Sequence, residues 1–285
     1  MPAGDLITLA TNDLGVQYEY AEVLFGTTTN LVVDSMEGLD SMPDFGTDDT
    51  DRNDDHGSIP GRDLLKSREL TMALKVDGVG HAAVMATFRA LARVMRPLTA
   101  EVPFVFKRPG EVTKQVFVRP RKRDFPSNAE VALGLAKGSL NWNAPDPRIF
   151  SLVEHHAQIV LAAGVDSGQV VVHNAGDFHG YVRFVLSGAG TNPRFAVSGQ
   201  TVDPLDGTNF NGRTTALDLD MAAGDVLQVL PKTRHILLNN VNAYQFKRTD
   251  NQWWELMPGD NTVTFDRTGT AGIQTLDIFW FDCWL

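Results

Sequence analysis

Only one stretch of this 285-residue chain carries the three- and four-residue spacing of an amphipathic helix. Between His81 and Met95, the residues Val84, Phe88, Leu91, Ala92 and Met95 fall down one helical face. Arg96-Pro97 ends it, because proline disfavours the helical conformation at the residue before it. Elsewhere the apolar pattern has a period of two. Val16, Tyr18 and Tyr20 alternate with Gln17 and Glu19, which predicts a half-buried strand. Leu70, Met72, Leu74 and Val76 alternate with Glu69, Thr71, Ala73 and Lys75, and the run ends at the turn signal Asp77-Gly78. After the helix, Val102, Phe104 and Phe106 resume a strand, followed by Val116 and Val118. The class is therefore mainly β, with one α-helix in the first half.

The second half carries no long helical pattern. Short apolar runs recur between Gly, Asn, Asp and Pro clusters. They are Val170 to Val172, Tyr181 to Leu186, Phe195 to Val197, Thr214 to Leu219, Val226 to Leu230, His235 to Leu238, Tyr244 to Phe246, Thr262 to Phe265 and Ile273 to Phe281. Closely spaced strands of this kind predict an antiparallel β-sandwich. Leu217 and Leu219 alternate with Asp218 and Asp220, as a sheet does when one face meets solvent. With 285 residues in 31.3 kDa, two domains, divided as residues 1–150 and 151–285, are favoured over a single large β domain.

Charge excludes some functions. A formal net charge of −10 and a pI of about 5.1 oppose tight nucleic-acid binding, which needs a surplus of Lys and Arg against phosphate. The same acidity would suit the wall of a conduit along which DNA slides without sticking, an idea that matters only if the chain forms a channel. Cys283 is the single cysteine, so no intrachain disulfide forms and a buried thiol is expected. No run is apolar enough to span a membrane as a helix, and the first residues lack the parts of a signal peptide, so folding in a cytoplasm is expected.

Chemistry-bearing motifs are missing. The acidic loop Asp48-Asp49-Thr50-Asp51-Arg52-Asn53-Asp54-Asp55 fails as an EF-hand, because the sixth and twelfth positions from Asp49 hold Asp54 and Pro60 instead of glycine and glutamate. It reads as a solvated loop. His155 and His156 are adjacent, so on a strand they face opposite sides and cannot share one metal, and no ligand spacing links His173 to His179. There is no G-x-S-x-G elbow and no phosphate-binding loop, and no carboxylate pair stands out among the 35 Asp and Glu residues. No catalytic, cofactor or metal residue is assigned. Trp253 and Trp254 are candidate exposed aromatics of the kind that stack on sugars; being adjacent, one is expected in the core and the other facing out.

One junction organises these parts. From Val116 to Ser151 the chain runs strand, basic Arg119-Pro120-Arg121-Lys122-Arg123, strand, then Ala144-Pro145-Asp146-Pro147-Arg148. This order resembles the domain junction of siphophage distal tail (Dit) proteins, minor tail proteins of the tail-tip hub. The later turns are similar too: Asn174-Ala175-Gly176-Asp177, Ser187 to Phe195, Ala223-Gly224-Asp225 and Trp254 to Asn261. The resemblance covers nearly the whole chain and is weakest from Leu31 to Arg62.

The resemblance implies a non-enzymatic structural virion protein of a long non-contractile tail. It implies a ring-forming N-terminal domain, six copies around an opening for DNA, with a tail tube protein on one face and the tail-associated hub protein on the other. It also implies a C-terminal sandwich of galectin-like or carbohydrate-module-like fold, with a host-surface glycan as a possible contact. The acidic loop lies where the family contacts neighbouring subunits, so Asp48, Asp49 and Asp51 are expected to meet Arg119, Arg121 and Arg123 of the next copy. The alternatives are a carbohydrate-binding adhesin and, less favoured, a polysaccharide-degrading enzyme.

Overall fold

The computed structural model describes residues 2–8, 15–26, 28–47, 49–53, 55–59, 61, 63–126, 129–204, 207–269 and 272–285. The chain divides into two compact units, Met1–Leu152 (with Leu285) and Val153–Trp284.

The first unit opens with β1 (Gln17–Tyr20), β2 (Val23–Phe25) and β3 (Leu31–Glu37). Four short strands follow: β4 (Phe45–Gly46), β5 (Thr50–Asp51), β6 (Ser58–Ile59) and β7 (Leu64–Leu65). Then come β8 (Arg68–Asp77), helix α1 (His81–Val94), β9 (Val102–Lys107), β10 (Lys114–Asp124), the single turn α2 (Ala129–Ala132), β11 (Leu135–Ala144) and β12 (Ile149–Ser151). The antiparallel order is β2-β1-β9-β10-β11-β8-β3, with β12 also on β10.

β8 alternates as its sequence predicts, with Leu70, Met72, Leu74 and Val76 buried. Helix α1 buries Val84 and Leu91, and Phe88 stacks on Phe125 with ring centroids 4.5 Å apart. It ends where proline requires, with the Met95 N–H closing the last turn on the Leu91 carbonyl. The turn α2 has no counterpart in the sequence reading, because four residues are too few to show a period.

β1 departs from expectation. It is buried on both faces, Gln17 and Glu19 being 2% and 3% exposed. The N-terminal segment covers the polar face, and its backbone N–H groups satisfy the side chains. Gly4 and Leu6 donate to the two Glu19 carboxylate oxygens at 3.0 and 2.9 Å, and Thr8 donates to Gln17 Oε1 at 2.9 Å. Burial of polar groups is tolerable only with such partners.

β10 departs in another way. The basic run lies inside one strand, not between two. Residues 114–118 pair with β9 and residues 119–124 with β11, and the register slips between Pro120 and Lys122. Proline cannot donate to a ladder, so a bulge at this position relieves the pairing and leaves Arg121 as the extra residue. Around the bend, Tyr20 and Phe104 pack edge-on against Trp142, at 5.5 and 5.1 Å between centroids.

The second unit is a sandwich of two antiparallel sheets. Its elements are β13 (His155–Leu161), β14 (Ser167–Asn174), β15 (Val182–Ser187), β16 (Gly190–Ser198), β17 (Thr214–Ala216), β18 (Asp220–Met221), β19 (Val226–Leu230), β20 (His235–Leu238), β21 (Val241–Asn242), β22 (Gly259–Thr268), β23 (Gln274–Trp280) and β24 (Cys283–Trp284). One sheet runs β13-β23-β15-β19-β20-β21 and the other β14-β22-β16-β17, with β18 on β16. Phe184 of the first sheet stacks on Phe195 of the second at 5.1 Å, and Phe195 on Phe265 at 5.7 Å. Each such fully buried ring contributes about 1.5–3 kcal/mol of transfer free energy. Cys283, the single cysteine, is buried and forms no disulfide within the chain.

Three strand expectations change here. Tyr244–Phe246 is a 3-10 turn, because the Asn242 side chain accepts the Tyr244 N–H at 2.9 Å and starts a turn in place of a ladder. The run from Thr214 stops at Ala216, although Leu217 and Leu219 are still buried and Asp218 and Asp220 exposed. β13 was not among the predicted strands, since its paired histidines and Gln158 mask the alternation.

Candidate assembly surface

Between β3 and β8 the chain leaves the main sheet and returns. Two short ladders build this arm, β4 with β7 and β5 with β6. Its surface is unusual for a region this polar in sequence. Met42, Phe45, Ile59 and Leu64 are 60%, 42%, 56% and 52% exposed. They lie on one excursion of the chain, Phe45 and Leu64 in the β4–β7 ladder and Ile59 in the β5–β6 ladder, and exposed apolar side chains that form a contiguous patch mark contact surfaces.

The root of the arm is pinned by Arg68, the first residue of β8, which is 2% exposed. Its Nη1 donates to the carbonyls of Gly38, Leu39 and Ser41 at 2.5, 3.1 and 2.7 Å, and its Nε donates to Pro147 at 2.7 Å. Burial lowers the Arg68 pKa from the usual arginine value. Gly38 completes the root: at φ +92°, any Cβ there would lie 1.9 Å from the Glu69 carbonyl oxygen.

Of the predicted interface residues, Asp48 lies outside the described residues. Asp49 is exposed, and its Oδ1 accepts the Gly61 N–H at 2.8 Å, closing the arm's loop. Asp51 is exposed on β5, and Arg52 stands 3.9 Å from Asp55. On β10, Arg119 is half-buried and 3.8 Å from Glu101. Arg121 is exposed at the bulge and has no ion pair among the described residues. Arg123 Nη1 donates to the carbonyls of Ala92 and Met95 at 3.2 and 3.3 Å, capping the C-terminal end of α1, where a cation is favoured. Within one chain, no ion pair among the described residues joins the acidic loop to the basic run.

In the second unit, Trp254 is 1% exposed and packs on Phe184 at 5.2 Å, so it is not an exposed aromatic. Strand-like alternation forces one of two adjacent rings inward, and the core takes Trp254. Trp253 is half-buried and packs against the same core. Four of this unit's five histidines are dispersed, each beside its own carboxylate: His155 with Asp282 at 2.9 Å, His156 with Asp277 at 2.8 Å, His173 with Asp260 at 2.7 Å and His179 with Glu255 at 2.5 Å. The exposed apolar residues of the arm escaped the sequence reading, because the acidic centre of the loop dominated its composition; the flanking Met42, Phe45, Ile59 and Leu64 were the signal.

Residues 189–284 match the family model described as the siphovirus-type tail component, C-terminal domain. Among solved structures, the Dit protein of phage SPP1, described as a paradigm of hub adsorption apparatus in Gram-positive infecting phages, shares 16% identity. The TM-score is 0.67, and the match covers 95% of this chain and 99% of that one. A chain of the phage P2 baseplate in its activated, calcium-containing conformation overlaps at 5% identity and TM-score 0.46, covering 92% of this chain and 97% of that one. No curated protein sequence matches. The distal tail resemblance read from the sequence and the mainly β, two-domain fold are both borne out: residues 189–284 match the tail-component model, and the chain shares the fold of the SPP1 Dit protein.

Proposed function

We propose that this chain is a hub component at the tip of a long, non-contractile phage tail, where its first unit assembles side by side into a closed ring of six. The observation that carries this reading is the arm between β3 and β8, which presents exposed apolar and acidic side chains from a root fixed by a buried arginine. A heterologous contact needs two different complementary patches on one chain, and closes into a ring when the rotation allows. The arm supplies one patch, and Arg121 at the β10 bulge supplies a charge of opposite sign for the other. In this reading Asp49 and Asp51 face Arg121 of the next copy, while Arg119 and Arg123 serve chiefly within their own chain, as their contacts to Glu101 and to α1 suggest. The ring sits between a tail tube protein and the tail-associated hub protein. A net charge of −10 keeps the opening from retaining DNA. The role is structural, with assembly in the host cytoplasm.

The test is native mass measurement and particle imaging of the full chain, alone and with its tube partner. The wild type is expected to form rings. Arg121→Glu is expected to leave the melting temperature unchanged and to weaken ring formation about tenfold, a charge contact at a partly desolvated interface being worth about 1–2 kcal/mol. Rings formed equally well by Arg121→Glu would remove Arg121 from the interface, and a chain that stays monomeric with its partners present would remove the ring.

A further inference from the structure

A cavity of about 330 Å3 opens on the second unit, lined by Arg194, Thr214, Ala216, Arg248, Asp250 and Gln252 among others. Its origin lies in how the sheet ends. β17 is an edge strand, paired on one side only with β16. Arg194 is opposite Ala216 and Ala196 opposite Thr214, so these residues share one face; Phe195 and Thr215 share the other, which is the core. Ala216 therefore forms a small floor beneath the outer face, flanked by Arg194.

The free edge of β17 is capped by a side chain in place of another strand. Asn251 Oδ1 accepts the Ala216 N–H at 2.6 Å, and its Nδ2 donates to the Ala216 carbonyl at 2.5 Å. The Arg248 and Gln252 N–H groups donate to the Ala216 and Thr214 carbonyls at 3.1 and 2.9 Å. These bonds hold the wall in place without filling the space above Ala216.

The lining inverts the charge of the molecule. Two guanidiniums face one carboxylate, in a chain whose net charge is −10. Arg248 lies 3.4 Å from Asp250 and 3.8 Å from Asp218. Arg194 donates to the Thr214 hydroxyl at 3.3 Å and makes no ion pair among the described residues, its neighbour across the β16–β22 ladder being Asp266. A guanidinium held beside a preformed polar cavity is suited to bidentate recognition of a carboxylate or phosphate. The Thr214 hydroxyl, the Gln252 amide and the Asp250 carboxylate add donors and acceptors that match hydroxyl groups. The volume lies at the small end of ligand sites, room for one sugar-sized unit.

We infer that this cavity binds a sugar or polyol unit bearing one anionic group, with Arg194 as the principal anion contact. The site is contained in the second unit, so its failure leaves the ring reading intact, and the ring's failure leaves this one intact.

The experiment is ligand-observed NMR and calorimetry on the full chain with three probes: glycerol 3-phosphate, glucuronate and glucose. Saturable binding of glycerol 3-phosphate or glucuronate is expected, the preferred probe identifying phosphate or carboxylate as the natural group, with glucose at least about tenfold weaker, the worth of one charge-assisted bond. Arg194→Gln is expected to weaken binding about tenfold or more with an unchanged melting temperature. Glucose binding as well as the acids, an unaffected Arg194→Gln, or no saturation by either acid below about 10 mM would each overturn the assignment.

Discussion

Replacing Arg68 by methionine tests whether the arm is held by the fold or merely leans on it. The guanidinium reaches four carbonyl oxygens at 2.5–3.1 Å from a position 2% exposed, three of them sharing the two Nη1 protons, while its Nη2 is buried without a partner among the described residues. Bonds to a charged group are worth about 1.5–3 kcal/mol each, so the three donated protons contribute about 4.5–9 kcal/mol gross. Against that stands the desolvation of a cation with no carboxylate partner, several kcal/mol. The expected net loss for Arg68→Met is therefore about 3–5 kcal/mol. For a unit of this size each kcal/mol lowers the melting temperature by about 2–4 °C, so a fall of roughly 6–20 °C is expected in the first unit. Hydrogen exchange locates the effect: amides near residues 38–41 and along β8 lose protection, while those of β15 and β22 in the second unit keep theirs, because distant sites act independently. Arg68→Lys should recover less than half, as an ammonium cannot span carbonyls on both sides of a planar fork. The ring should weaken in step, since the arm loses its root. A melting temperature within about 2 °C of wild type, with protection on β8 unchanged, would refute the idea that these bonds carry the arm.

Two further perturbations follow from close contacts. A Cβ at Gly176 would lie 1.8 Å from the Cys283 carbonyl oxygen, a backbone atom, in a turn where Asn174 Oδ1 already accepts the Gly176 and Cys283 N–H groups at 3.1 and 3.0 Å. Gly176→Ala is expected to cost about 3 kcal/mol or more in urea unfolding of the second unit, and a loss under about 1 kcal/mol would show that this turn adapts freely. Burial pushes the Tyr20 pKa up to about 12 from 10.0. The folded state therefore holds the Tyr20 proton more tightly than the unfolded chain does, so its contribution is complete below pH 10 and is lost as pH rises through about 12. The loss amounts to about 2–3 kcal/mol and is absent in Tyr20→Phe; parallel alkaline unfolding curves for the two proteins would contradict it.

Some of this architecture follows from the linear pattern alone. Helix α1, β8, β9 and most strands of the sandwich repeat on the length scale of one element, so their apolar periods appear directly in the sequence. The turn strings also survive: Asn174-Ala175-Gly176 is conspicuous as a string because only glycine fits beside the Cys283 carbonyl. The basic run from Arg119 to Arg123 stood out by composition, but its division of labour did not. That Arg123 caps α1 while Arg121 is the extra residue of a bulge depends on which strands flank β10.

What tertiary structure decided is chiefly the fate of polar residues and of short segments. Gln17 and Glu19 read as a solvent face, yet a distant N-terminal segment brings the N–H groups that make their burial possible. Trp253 and Trp254 are equivalent as neighbours in sequence, and only the position of the Phe184 ring selects which of them is buried. Arg68 begins a strand that the pattern identified, but four carbonyls from residues as far away as Pro147 turn it into the anchor of the arm. Period and turn chemistry are local, whereas a polar group's free energy depends on partners that the chain meets only after it has folded.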